Sequence, residues 1–152
     1  MSSSGSPTLA SIGRNSVITV ETESAARRWA ETWSRAWPRR DVEAIAALYA
    51  DTAVYRSPAF RKPFTGLSSV RQYLNENLTV EENIECWFGR PIVMGDQAAV
   101  EWWGIWTAAG QDLTFAGVSV LRFNGAGKVV EHRDYDNHVN ERQSPYAGWL
   151  ST

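Results

Sequence analysis

From Asn83 onward the sequence changes period, and that change constrains the fold more than any other feature. The stretch NIECWFGRPIVMGDQAAVEWWGIWTAAGQDLTFAGVSVLRFNGAGKVVEHRDYDN breaks at Gly95-Asp96, at Ala109-Gly110-Gln111 and at Asn124-Gly125-Ala126-Gly127. Each break is flanked by β-branched and aromatic residues, the pattern of hairpin turns between strands. Four strands in an antiparallel meander are predicted. The glycines of NGAG serve the last turn; a phosphate cradle would need a helix after them.

Ahead of the meander the period is helical. Ala26, Trp29, Ala30, Trp33 and Trp37 recur at helical spacing from Thr22, with Glu23, Arg27, Arg28, Glu31 and Arg35 on the other face, and Pro38 ends the run. Asp41 is placed to cap a second, shorter helix with Val42, Ile45, Leu48 and Tyr49 in one stripe. TAVYRSP reads as a short strand, AFRKPFTG as a loop, and LSSVRQYLNENL as a third helix with Leu67, Val70, Tyr73, Leu74 and Leu78 inward. The prediction is an α+β domain, a twisted antiparallel sheet with three N-terminal helices packed on one face. Residues 1–19 are expected to be a flexible tail, 20–140 the domain, and 141–152 a tail that packs back through its aromatics.

Composition narrows the function classes. At 152 residues the chain can build one domain with a real core. A net charge of −2 without any Lys/Arg block lacks the footprint of a nucleic-acid binder. No run approaches a membrane span, and the N-terminus has no basic start followed by an apolar run. The single cysteine, Cys86, forms no internal disulfide and is expected to be a buried, inert thiol, which suits a cytoplasmic location. His132 and His138 lack a third ligand at metal-site spacing, so no metal is expected. No cofactor is expected either.

The segments ALYADTAVYRSP and VLRFNGAGKVVEHRDYDN, in that order behind two helices, resemble the nuclear transport factor 2-like superfamily, and within it the SnoaL-like group, over residues 22–138. The resemblance implies a cone of curved sheet and helices around a pocket, commonly in a homodimer. Relatives include ketosteroid isomerases, polyketide cyclases, epoxide hydrolases, dehydratases and binding modules without chemistry, so the fold does not settle the function. Where the isomerases carry their Tyr and two Asp, this chain has Trp33, Ser119 and Ser57. Tyr55 and Asp134 match a Tyr and an Asp of the epoxide hydrolases, and Ser57 replaces their Asn. Their Arg-x-Asp pair falls on Val100/Trp102 or Glu101/Trp103, without an Arg.

On the last strand, alternation puts Val130, His132 and Asp134 on one face and Val129, Glu131, Arg133 and Tyr135 on the other. The resemblance turns the Asp134 face inward. A carboxylate among indoles then has a raised pKa unless His132 is protonated and paired with it. Asp134 is the candidate acid/base, with His132 and Tyr55 as hydrogen-bonding helpers; a satisfied polar core is the alternative. Trp33, Ser57, Trp102, Trp106 and Ser119 are the candidate ligand-binding residues, and Trp29 and Trp37 are assigned to the core. Glu81-Glu82 reads as solvated. So many indoles would leave a narrow apolar cavity for a planar or polycyclic molecule. The expected function is a SnoaL-like isomerase, cyclase or hydratase, or else a ligand-binding or dimerisation module, with Trp103 and Ile105 on the face that a second copy covers.

Overall fold

A computed structural model describes residues 9–150. Three helices, α1 (Leu9–Ala36), α2 (Val42–Ala46) and α3 (Leu67–Leu78), pack against a sheet of β1 (Tyr49–Arg56), β2 (Phe64–Thr65), β3 (Glu81–Phe88), β4 (Ile92–Met94), β5 (Gln97–Ala108), β6 (Gln111–Phe123) and β7 (Val129–Val139). The strand order is β2-β1-β7-β6-β5-β3, with β4 also on β5.

α1 begins earlier than the periodicity indicates. Of the expected tail, residues 1–8 lie outside the described part, and Leu9 already opens the helix. Its stripe of Ala26, Trp29, Ala30 and Trp33 is buried on the sheet. Each indole buries some 150–250 Å², so this one face supplies much of the contact between helix and sheet. Trp37 stays on the stripe past the helix end because its N–H still donates to the Trp33 carbonyl at 2.9 Å. The Asp41 side chain caps α2 by accepting from Ala44 N at 3.0 Å. α2 closes at Ala46, so Tyr49, expected on its stripe, instead opens β1.

The sheet is mixed. β3, β4, β6 and β7 follow the expected antiparallel order, but Gly89–Pro91 splits the first strand into β3 and β4, which both pair with β5. β1 lies parallel to β7, with Tyr55 opposite His132. The final hairpin is shaped by Asn124, whose side chain accepts from the backbone N–H of Ala126 and Lys128 at 3.0 Å each. After it a β-bulge intervenes: Phe123 pairs with Val129 and Arg122 with Glu131, leaving Val130 over. Val129, not Val130, therefore joins the His132 side of the sheet, and it is fully buried there.

On the far face, Trp103 and Ile105 are buried within the single chain. Trp103 donates its indole N–H to the Gln143 carbonyl at 2.8 Å and touches the rings of Tyr146 and Trp149. Thr114 Oγ1 donates to the Glu141 carbonyl at 2.6 Å and accepts from Gln143 N at 2.9 Å. Of the two residues expected to await a second copy, Trp103 is thus covered by the chain's own C-terminal segment, and Ile105 is buried within the single chain as well. Burial pushes the half-buried Cys86 thiol up to about 12. Among the described residues no helix is long and apolar enough to cross a membrane, and no group of three or more His, Cys, Asp or Glu could hold a metal ion.

Candidate active site

The sheet, α1, α3 and the loop after β1 line a cavity of about 400 Å³. Its polar end is built on β7. Register places His132 opposite Leu121 and Asp134 opposite Ser119 of β6, while the parallel pairing with β1 brings Tyr55 alongside. Asp134 Oδ1 accepts from Ser119 Oγ and His132 Nε2, both at 2.6 Å, and Oδ2 accepts from the Tyr55 hydroxyl at 2.9 Å. Because a carboxylate only accepts, Nε2 carries a proton. The other ring nitrogen, Nδ1, meets the Tyr49 hydroxyl at 2.7 Å. A neutral ring accepts a hydrogen bond from the phenol there, and a charged ring donates one to it.

His132 is 1% exposed and Asp134 7%. Burial works to raise the Asp134 pKa, but the His132 charge and the hydrogen bonds from His132, Ser119 and Tyr55 outweigh it, and the carboxyl is held below its ordinary range. The expected raised value is corrected in favour of the paired case. Burial raises both tyrosine hydroxyls, which keeps Tyr49 and Tyr55 protonated.

A second carboxyl stands at the aromatic end. The six-membered ring of Trp37 lies against Gly104, where a Cβ would collide with it. It packs against Trp33, Trp102 and Trp106 at 5.8, 6.1 and 5.4 Å between ring centroids. From that position its indole N–H donates to Glu81 Oε2 at 2.7 Å. Glu81 is 8% exposed; burial, only partly offset by the Trp37 bond, pushes its pKa up to about 7. The assignment of Glu81 to solvent is overturned, while its neighbour Glu82 is exposed.

The Tyr73 side chain borders the same cavity and its hydroxyl feels both carboxyls. It is pushed up to about 12 by burial, opposed by hydrogen bonding to Ser57 and reinforced by the charges of Asp134, Glu81 and Asp136. Three buried indole nitrogens, on Trp29, Trp33 and Trp102, have no hydrogen-bond partner. A larger groove of about 490 Å³ runs outside along α1, but its Arg27, Glu31 and Arg35 are exposed and none of the buried ionisable groups borders it.

The structure therefore gathers Asp134, His132, Tyr55 and Ser119 into one hydrogen-bonded cluster, and sets Trp33, Ser57, Trp102 and Trp106 on the cavity wall. Trp29 and Trp37, assigned to the core, border the cavity as well. Glu101 faces away and is exposed. Sequence reasoning missed Tyr49, Glu81 and Asp136, and took Tyr73 only as a core residue.

A family profile described as SnoaL-like domain matches residues 26–132. Among solved structures, the epoxide hydrolase/cyclase-like enzyme SalBIII of pyran ring formation in polyether salinomycin aligns at 21% identity over 75% of this chain and 91% of its own, with a TM-score of 0.66. A Mycobacterium tuberculosis LEH-like epoxide hydrolase aligns at 18% identity over 78% and 84%, TM-score 0.63. RV0760c from Mycobacterium tuberculosis aligns at 19% identity over 77% and 96%, TM-score 0.68. At these identities the likeness is one of fold.

Proposed function

This chain belongs to the SnoaL-like domain family, and from that premise we propose that it is a cofactor-independent acid–base enzyme acting on a small hydrophobic molecule, opening or closing a cyclic ether. One observation carries the reading: two carboxyls border one aromatic cavity with their pKa values pushed apart, Asp134 below its ordinary range and Glu81 up to about 7. Such a separation assigns base and acid. Asp134 takes the proton of a water or substrate hydroxyl, that oxygen bonds to carbon, the ring C–O bond breaks, and Glu81 protonates the leaving oxygen. Tyr55 and His132 fix the Asp134 carboxylate, and Trp37 fixes Glu81. Two of the similar structures are named as an epoxide hydrolase or an epoxide hydrolase/cyclase-like enzyme, which is why the ring is taken to be an ether.

Styrene oxide, an uncharged epoxide carrying a planar phenyl ring, is the probe. Diol formation is expected from the native chain, with kcat lowered by about 100-fold or more in Asp134→Asn and in Glu81→Gln, the range for removing a positioned acid or base. Undiminished turnover in both variants would overturn the assignment.

The second reading is a ligand-binding or dimerisation module without chemistry. The serines at positions 57 and 119, Trp33, and the three donors that occupy Asp134 favour it. Quenching of tryptophan fluorescence by styrene oxide with no diol formed would select it. We also propose a homodimer, through the part of the outer sheet face around Tyr135, which the C-terminal segment leaves exposed.

A further inference from the structure

The file of ionisable side chains that β7 turns inward does not stop at Asp134. His132, Asp134, Asp136 and His138 occupy every second position, opposite Leu121, Ser119, Gly117 and Phe115 of β6, and all four border the cavity. Exposure rises along the strand: the first two are buried, Asp136 is half-buried and His138 is exposed. The His138 ring stacks on Phe115 with centroids 4.9 Å apart and planes 17° from parallel. Gly117 clears the space beside Asp136, since a Cβ there would stand 2.7 Å from the Asp136 Cβ. The opposite end is closed, because the second nitrogen of His132 ends on Tyr49, itself buried.

From this graded file we infer that Asp136 and His138 form the route by which protons pass between the buried Asp134–His132 pair and solvent. The inference rests on the acid–base reading for its purpose. Each turnover leaves Asp134 protonated and Glu81 ionised, so one proton must leave and one must enter. On the way out an O–H bond of Asp134 breaks as one forms on Asp136. The proton then moves to a ring nitrogen of His138 and from there to water, with no electron transferred at any step. Same-face positions on a strand stand ~7 Å apart, a gap that one bridging water spans.

The groups that face Asp136 are compatible with this traffic. Burial and then the Asp134 charge raise its pKa, while His138 lowers it, so it accepts a proton more readily than an ordinary surface aspartate. From α3 the Tyr73 hydroxyl feels the charges of both aspartates and of Glu81, and Arg61 of the loop between β1 and β2 borders the same cavity.

The test reads exchange of the His132 Nε2 proton with water, by saturation transfer in chain labelled with 15N-histidine, without any substrate. Asp136→Asn and His138→Ala should each slow the exchange several-fold at unchanged melting temperature. Millimolar imidazole should restore the rate in His138→Ala and not in Asp136→Asn. Unchanged exchange in both variants overturns the route, and so does a slowing in His138→Ala that imidazole does not relieve. Because no epoxide is involved, failure here leaves the acid–base reading standing, and failure of styrene oxide turnover leaves this result to stand by itself.

Discussion

A carboxyl takes its charge state from its neighbours, and Asp134 and Glu81 show two outcomes within one cavity. Three donors, one of them an imidazole, surround Asp134; a single indole N–H meets Glu81. Their effects on stability have opposite signs. The native pKa of Glu81, about 7, lies above its ordinary value of 4.5, so the native state holds the proton more tightly and stability falls as pH rises between those values. Asp134, with a depressed native pKa, contributes stability that is present above the ordinary carboxylate range and lost as pH falls through the native value. Glu81→Gln should therefore remove the decline between about pH 5 and 7 and leave the variant more stable than the native chain at pH 8, by roughly 2–3 kcal/mol. Thermal denaturation across that range checks it; parallel pH profiles for the two chains would place the Glu81 carboxylate in water.

At the scale of elements, strict alternation shows both what can be read from sequence and where reading stops. On β5 and on β7 from Glu131 on, parity places Trp102, Trp106, His132 and Asp134 inward, as the structure has them. On β3 it fails. Counting back from Phe88 and Cys86 puts Glu82 inside, yet Glu82 pairs with Thr107 and Glu85 with Ile105, so Asn83 and Ile84 face the single residue Trp106. That bulge, with Asn83 at φ 51°, reverses the parity and turns Glu81 into the cavity. Nothing in TVEEN announces it, since asparagine tolerates this backbone without requiring it. The bulge at Val130 hid the burial of Val129 in the same way. Deleting Asn83 should absorb the bulge with Glu82 still opposite Thr107 and Glu81 still opposite Ala108, so that Glu81 keeps its place in the cavity. The expected result is a folded chain whose styrene oxide turnover stays within a few-fold of the native chain's. A loss as large as that of Glu81→Gln would mean that the register of β3 does not by itself position Glu81.

For the whole molecule, the C-terminal segment decides how much sheet remains for a partner. It seals Trp103, and Arg142 ties it to the β3 edge through the Asn83 carbonyl and Glu85, both at 2.8 Å. Light scattering at micromolar concentration should give a dimer that survives removal of residues 141–152, while Trp103 fluorescence shifts to the red as its cover is lost. A monomer before and after truncation would sink the dimer proposal. The parallel seam between β1 and β7 bears on how the chain comes to exist at all. Tyr49 and His132 are 83 positions apart, Tyr55 and Asp134 79, and no earlier strand can stand in for the last. During synthesis the first strand must wait, with its β7 edge unpaired, until the chain has been translated through Val139. A ribosome that stops before β7 leaves a product with every indole of the cavity and neither His132 nor Asp134, and the loop-closure entropy of that final seam makes it a slow, late step of folding.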